Sequence, residues 1–199
     1  MRFIGITGGV GAGKSELLKY IEQEFPAKVV LADKLAHTLM LPGADCYEQI
    51  RKAFAGVDLY REDGSFAPEK LAAVIFSNPD RRAALNGIVH PAVKREVLRL
   101  ADNERRSGRY AYFILEAALL IEEGYGDICD ELWYIYASQK LRRQRLKESR
   151  GYSDQKIDGI LKSQLSEAEF QRHCQVVIDN NGTLEESFCQ IRKAIEANL

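Results

Sequence analysis

The residues with the clearest chemistry lie near the start of the chain, in the segment GGVGAGKS (8–15). Their spacing matches G-x-x-x-x-G-K-[ST], with a short apolar run before the segment and a helical pattern after it. Backbone N–H groups of a loop without Cβ atoms can turn inward around a phosphate, and a helix N-terminus adds partial positive charge there. We therefore expect this segment to bind a nucleoside triphosphate, with ATP as the expected nucleotide.

Each residue of the motif has an expected part in that site. Lys14 would reach the β- and γ-phosphates, and the hydroxyl of Ser15 would bind Mg²⁺. The other nucleotide-binding residues expected here belong to the loop and the first helical turn: Gly8, Gly9, Gly11, Ala12, Gly13 and Glu16. The alternative is a glycine-rich turn with an incidental lysine, and the order of strand, loop and helix argues against it.

Two acidic residues follow predicted strands. We expect Asp33 at the carboxyl end of the second strand and Glu116 at the carboxyl end of the third, the edge where open parallel sheets bind ligands. Asp33 is a candidate catalytic base for an attacking hydroxyl; alternatively, it caps the helix that follows. Glu116 is a candidate Mg²⁺ ligand through water, or a solvated acid at the rim of the sheet.

The segment from Ser138 to Arg150 is strongly basic. A helix with charges of mostly one sign repels itself, and it becomes favourable if phosphates bind opposite it, since guanidinium groups suit phosphate oxygens. We expect Arg145 and Arg150 to bind ATP from a mobile lid, Arg145 also acting in catalysis, and Arg142 is a weaker candidate. The alternative is a solvated helix face. The basic residues are Lys140, Arg142, Arg143, Arg145, Lys147 and Arg150.

Composition limits the class of protein. The chain has 199 residues, of which 46% are hydrophobic and 29% charged, and its formal net charge is −1. Without a basic field we expect no nucleic-acid partner, and no apolar stretch is long enough to predict a membrane partner. Four widely spaced cysteines without a C-x-x-C pair indicate a reduced, cytoplasmic protein. The sequence does not indicate the oligomeric state.

Five apolar runs predict strands: RFIGIT, KVVLA, YAYFILEA, ELWYIYA and QVVID. Because helical patterns separate them, we expect an α/β fold with a five-stranded parallel sheet. The helical stretch from about 35 to 108 is too long for one crossover, so it predicts an inserted subdomain, in which Pro68 and Pro91 each start a helix. The expected domains are a nucleotide-binding core (1–33, 110–137 and 174–199), a helical acceptor-binding insert (34–109) and a lid region (138–173).

These features separate three function classes. A GTPase would need an N-K-x-D segment, which this sequence lacks, and its only D-x-x-G lies near the end, at 179–182. A non-catalytic nucleotide-gated binding protein would need neither an acid nor an arginine lid around the phosphates. A small-molecule kinase needs an acceptor-binding insert, a base and a basic lid, and the sequence supplies all three. Another nucleoside or nucleotide kinase of the same architecture remains an alternative.

The chain resembles the dephospho-CoA kinases over nearly its whole length. The segments that carry the resemblance are IGITGGVGAGKS, LADKLAH, the insert segment ending in IVHPAV, ALLIEEG and VIDNNG. The resemblance implies a P-loop kinase fold of the nucleoside-monophosphate-kinase type. It also implies transfer of the γ-phosphoryl group of ATP, with Mg²⁺, to the ribose 3′-hydroxyl of dephospho-CoA.

The resemblance also implies roles for single residues. It assigns the family's catalytic aspartate to Asp33, places Asn180 beside the nucleotide base, and places His37 and His90 in the acceptor pocket. By itself, a histidine before Pro91 more often caps or packs a helix start. The sequence departs from the family's pattern at several positions, including Glu16, where threonine is usual, but no departure removes a reacting group.

Overall fold

The computed structural model describes residues 1–197, which form two compact units. Among the described residues, the first unit comprises Met1–Val30 and residues 104–197, and the second comprises Leu31–Asn103. The first unit contains the glycine-rich loop and almost the whole sheet, whereas the second is mainly helical.

The described residues include one sheet of five strands in the order β2-β3-β1-β4-β5. β1 lies between β3 and β4 and runs parallel to both, with Ile4 opposite Ile114 and Glu131. The carboxyl end of β1, where the glycine-rich loop begins, therefore lies beside the ends of β3 and β4. The predicted five-stranded parallel sheet is confirmed. The strands are β1 (Arg2–Thr7), β2 (Ala27–Leu31), β3 (Tyr112–Glu116), β4 (Glu131–Tyr136) and β5 (Val176–Asp179).

Helices follow each strand except β3 along the chain. Of the helices in residues 1–197, none combines the length and the apolar composition that a membrane span requires. The helices are α1 (Lys14–Glu24), α2 (Ala32–Leu39), α3 (Tyr47–Ala53), α4 (Pro68–Ser77), α5 (Pro79–Ser107), α6 (Gln139–Arg150), α7 (Asp154–Lys162), α8 (Glu167–His173) and α9 (Leu184–Glu196), with a 3₁₀ turn at Tyr125–Asp127.

The central strands form the core of the first unit. Side chains on both faces of β1, β3 and β4 are buried, as expected for parallel strands covered by helices on both sides. The rings of Phe3 and Phe113 meet edge to face with centroids 4.9 Å apart, and Trp133 is fully buried. This burial holds the strands in place, and the glycine-rich loop begins where β1 ends.

The second unit has a core of its own. Ile50, Phe54 and Leu59 are buried there, and the guanidinium of Arg81 lies 5.3 Å from the centre of the Phe54 ring. An antiparallel bridge between Tyr60 and Phe66 closes the loop before α4. Pro68 starts α4, as the sequence predicts.

The expectation that Pro91 starts a helix is wrong. Pro91 lies inside α5, which begins at Pro79. A proline inside a helix removes one hydrogen bond and crowds the carbonyl group four residues earlier, here that of Gly87. The apolar side chains of Val89, Ala92 and Val93 around it are buried, so packing of the flanking turns outweighs the local preference.

α9 begins with a reciprocal capping box. The Oγ1 atom of Thr183 accepts a hydrogen bond of 3.3 Å from the backbone N–H of Glu186, and Oε2 of Glu186 accepts one of 2.8 Å from the N–H of Thr183. The spacing of these two residues in the sequence predicts this cap, and the structure confirms it.

Thr183→Ala is expected to lower the free energy of unfolding by about 1 kcal/mol, because one N–H at the start of α9 loses its acceptor. Urea denaturation should show a lower midpoint with an unchanged slope. Thr183→Ser retains the hydroxyl and serves as the control, with a midpoint close to that of the parent. Equal losses in the two variants would show that the methyl group, and not the cap, stabilises this end.

Candidate phosphate-binding site

The glycine-rich loop connects β1 directly to α1. Gly8, Gly11 and Gly13 have φ angles of 148°, 84° and 87°, in a region that side chains with a Cβ atom rarely adopt. At Gly8 a Cβ atom would also lie 2.5 Å from the backbone oxygen of Ile135. The glycines are therefore required both by the backbone conformation of the loop and by its close approach to β4.

Three carbonyl groups of this loop accept hydrogen bonds from side chains. The carbonyl oxygen of Gly8 accepts from Nζ of Lys14 at 2.7 Å, and that of Val10 accepts from Nε of Arg142 at 2.9 Å. The carbonyl oxygen of Ala12 accepts from Nδ2 of Asn180 at 2.7 Å and from Nη1 of Arg145 at 3.1 Å. The loop backbone is thus held from several directions.

Lys14 also lies beside an acidic residue. Its Nζ atom is 3.4 Å from Oε1 of Glu116, and both side chains are about one-sixth exposed (15% and 16%). Glu116 ends β3, next to β1 in the sheet, so the strand order brings the two residues together. Glu116 is therefore not the freely solvated rim acid that was the alternative.

Ser15 and Glu16 occupy the first turn of α1 and are exposed. The carboxylate of Glu16 pairs with Lys19, three residues later, at 2.9 Å. Among residues 1–197, no group of three or more His, Cys, Asp or Glu side chains could hold a metal ion. The Ser15 hydroxyl and the Glu116 carboxylate nevertheless provide the hard oxygen donors that Mg²⁺ prefers, and Mg²⁺ usually adds water and substrate phosphates to one or two such groups.

The basic helix α6 has two faces with different partners. Arg142, Arg145 and Leu146 share one face, since they are three and four residues apart, and the two arginines bind loop carbonyl groups. On the opposite side Arg143 binds Asp154 and Asp158 of α7, and Lys147 binds Asp154. Carbonyl oxygens on one face and carboxylates on the other thus balance the surplus positive charge of α6. The helix is not a simple solvated face.

Arg150 is the last residue of α6 and is exposed. Its guanidinium lies 5.9 Å from the centre of the Tyr152 ring, and Nζ of Lys156 lies 3.7 Å from the same ring. A hydrogen bond from Arg150, together with the charge of Lys156, lowers the pKa of Tyr152. In the structure Arg150 therefore contacts Tyr152, whereas Arg145 contacts the loop.

Asn180 follows β5 and is almost fully buried, at 1% exposure. Its side-chain oxygen accepts a hydrogen bond of 2.9 Å from Oγ of Ser187 on α9, and its backbone oxygen accepts one of 3.0 Å from Nη2 of Arg145. With its amide group donating to Ala12, Asn180 connects β5, α6 and α9 to the loop.

Asp33, His37 and His90 belong to the second unit. β2 ends at Leu31, and Asp33 lies in the first turn of α2, so the expectation that it ends the strand is wrong. The capping alternative is wrong as well, because the N-cap residue is Leu31 and no side chain caps the helix. Asp33 and His37 lie four residues apart, on one face of α2, and both are exposed. His90 lies inside α5.

The sequence reasoning missed two contributors. The sequence pattern does not point to Ser187, which lies in the first turn of α9 and donates a hydrogen bond to the side-chain oxygen of Asn180. Arg142 was given less weight than Arg145 and Arg150, yet it is the most deeply buried of the three, at 6% exposure. The spacing of Arg142, Arg145 and Leu146 is the signal that could have grouped Arg142 with Arg145.

A parallel sheet with this loop between β1 and α1, and with Lys14 held beside Glu116, defines a P-loop nucleotide-binding fold. A family model described as dephospho-CoA kinase matches residues 2–186. The chain belongs to the dephospho-CoA kinase family, and it is therefore an ATP-dependent transferase.

A curated relative supports this assignment, and solved structures share the fold. A dephospho-CoA kinase of Symbiobacterium thermophilum is 36% identical over 197 residues, covering 99% of this chain and 81% of that protein. A crystal structure of a Thermus thermophilus protein matches with a TM-score of 0.82 at 28% identity, covering 100% and 97% of the two chains. A dephospho-CoA kinase from Campylobacter jejuni shares the fold, with a TM-score of 0.72 at 21% identity and full coverage of both chains.

Gly13→Ala is expected to weaken ATP binding at least ~10-fold, because a Cβ atom would lie 2.4 Å from Nδ2 of Asn180 and break the bond to Ala12. Gly151→Ala is the matched control: its φ of 61° is also left-handed, but nothing lies within 4 Å of the added atom. Both variants should lose about 1–2 kcal/mol of stability from the backbone. Equal ATP affinity in the two variants, measured by calorimetry, would contradict the expected collision with Asn180.

Proposed function

We propose how this chain performs the dephospho-CoA kinase reaction, in which the γ-phosphoryl group of ATP moves to the ribose 3′-hydroxyl of dephospho-CoA. The bond from the γ-phosphorus to the β–γ bridging oxygen breaks, a bond to the 3′-oxygen forms, and the hydroxyl loses its proton. The observation that carries the proposal is the family match over residues 2–186, which includes the loop, Asp33 and Asn180.

The loop and Lys14 bind and neutralise the phosphates. Phosphoryl transfer needs little covalent chemistry from the protein, so catalysis consists mainly of positioning and charge stabilisation. The backbone N–H groups of the loop 8–13 surround the phosphates, except that of Ala12, which donates to the backbone oxygen of Gly9 at 3.0 Å. Lys14 places its ammonium group at the β- and γ-phosphates. Its present bonds to Gly8 and Glu116 support this role, because they hold the ammonium group at the mouth of the loop.

The Ser15 hydroxyl and the Glu116 carboxylate would hold Mg²⁺, Glu116 through a water molecule. When bound, the ion neutralises charge on the phosphate oxygens. The support for this assignment is the chemistry of the two donors and the position of Glu116 at the end of a strand next to β1.

Asp33 orients the acceptor hydroxyl and accepts its proton. The first turn of a helix favours negative charge, so the position of Asp33 in α2 suits a carboxylate. His37, one turn later on the same face, and His90 bind the acceptor. The insert 34–109 is larger than the binding of a bare nucleoside would require. An acceptor with a long pantetheine arm would contact more of its surface.

The region 138–173 acts as a lid. Arg145 and Arg150 bind ATP, and Arg145 stabilises the transferring group, while Asn180 lies beside the nucleotide base. The contacts of Arg145 with Ala12 and Asn180 support its place at the nucleotide. Exclusion of water prevents simple hydrolysis of ATP. A cytoplasmic location also remains a prediction.

Asp33→Asn is expected to leave ATP binding unchanged and to lower kcat by roughly 10²–10⁴-fold, since the amide has similar shape but accepts no proton. Release of ADP and calorimetric titration with ATP measure the two quantities. Asp45→Asn changes another exposed carboxylate of the same unit and should leave both unchanged. Wild-type kcat in Asp33→Asn would mean that another residue acts as the base.

Among acceptors, dephospho-CoA should be phosphorylated far more efficiently than AMP or adenosine. Part of the arm's binding free energy should raise kcat, because contacts remote from the reaction can orient the reacting hydroxyl. The assay measures ADP release against each acceptor and checks the product for a 3′-phosphate. Preference for a nucleoside monophosphate would instead favour another nucleotide kinase of this architecture, and tight ATP binding without transfer would favour a nucleotide-gated binding protein.

A further inference from the structure

Arg142 is the buried charged side chain of α6, and the proposed mechanism leaves it unused. It is 6% exposed, and burial lowers its pKa, partly offset by the nearby carboxylate of Glu167. Burying a guanidinium group without good partners is costly, and arginine stays protonated in proteins. Its position therefore calls for specific partners that compensate for the lost hydration.

Two polar groups bind this guanidinium from separate parts of the chain. Nε donates to the backbone oxygen of Val10 at 2.9 Å, and Nη2 donates to Oε1 of Gln164, in the segment between α7 and α8. Arginine has a rigid planar fork of donors, so binding at two points fixes the plane of the group. Arg142 is thus held against the phosphate-binding loop in one orientation.

The space that Arg142 occupies is available only because residue 9 is glycine. A Cβ atom on Gly9 would lie 2.1 Å from Cζ of Arg142 and 2.2 Å from Nη2. The φ angle of Gly9 is not in the left-handed region, so its backbone conformation does not itself require glycine. At Gly11 a Cβ atom would lie 3.0 Å from the backbone oxygen of Arg142, which shows how closely α6 approaches the loop.

From this geometry we infer that Arg142 is a positioning residue, which sets the orientation of the Val10–Gly11 peptide and thereby aims the N–H of Gly11 at the bound phosphates. The inference rests on the proposed function of the loop. In a trans peptide the N–H points opposite to the C=O, and this peptide is trans. The carbonyl group that Arg142 binds therefore points to Arg142, and the N–H of Gly11 faces the other way.

The charge of Arg142 adds a second effect. A hydrogen bond with an ionised donor is shorter and stronger than one between neutral groups, and bonded groups polarise one another. The peptide whose oxygen binds Arg142 therefore becomes a better N–H donor to phosphate. Arg142 acts on the nucleotide through the backbone, without a direct contact of its own.

Calorimetry with ADP and with adenosine tests this role without any acceptor, so the result does not depend on which alcohol is phosphorylated. Arg142→Ala should weaken ADP binding at least ~10-fold, the effect of losing one charge-assisted hydrogen bond, and leave adenosine binding unchanged. Arg142→Lys should weaken ADP binding nearly as much, because a point charge does not reproduce the fork. Arg143→Ala is the matched control, since Arg143 binds α7 on the other face, and should bind ADP as the parent does.

Gly9→Ala provides an independent test through a double-mutant cycle. Alone, it should weaken ADP binding because the methyl group displaces the guanidinium of Arg142. In combination with Arg142→Ala it should cost nothing further, since the colliding group is gone. Additive losses would show that Gly9 is needed for the phosphate itself, and would overturn the inference.

Other outcomes also decide the matter. Wild-type ADP affinity in Arg142→Ala, or equal losses for ADP and adenosine, would contradict positioning of the loop. ADP affinity equal to that of the parent in Arg142→Lys would also overturn the inference, because a lysine cannot bind at two fixed points. If Arg142→Ala fails to fold, Gln164→Ala removes the second anchor and keeps the arginine. It should weaken ADP binding by a smaller factor, and unchanged binding in this variant would overturn the inference.

Discussion

The structure of the candidate nucleotide site depends on which groups donate hydrogen bonds to the carbonyl groups of the loop 8–13. A loop that presents N–H groups to phosphate must turn carbonyl groups away from it, and buried carbonyl groups need donors. Here the donors are the ammonium group of Lys14, two guanidinium groups of α6 and the amide of Asn180. Much of the first unit can be understood as the scaffold that delivers these donors.

The order of the strands makes this delivery possible. Since β1 is the central strand, the segments that follow β3, β4 and β5 all emerge near the end of β1. Glu116 is the last residue of β3, α6 follows β4, and Asn180 follows β5. Each belongs to a distant part of the sequence, and the parallel sheet is what brings them to one edge.

The positive charges on α6 are also matched by partners from other parts of the chain. Its positive residues would repel one another in an isolated helix, yet each face has its own partners. Arg143 and Lys147 bind the carboxylates of α7, which connects α6 to α7, while Arg142 and Arg145 bind the loop. These partners offset the repulsion between the positive residues of α6. The basic composition of α6 therefore serves two sets of contacts, one with the carboxylates of α7 and one with the carbonyl groups of the loop.

By itself, the sequence determined the features that depend on neighbouring residues. The glycine spacing predicted the loop, apolar runs predicted all five strands, and the Thr183–Glu186 spacing predicted the cap of α9, because each of these signals acts within a few residues. The resemblance to a family added the reaction. The tertiary structure decided the rest: which arginines of α6 face the loop, that Asn180 binds Ala12 from 168 positions away, and that α5 runs through Pro91. These outcomes depend on packing between distant segments, and helical spacing defines a face of a helix without defining the neighbour that it contacts.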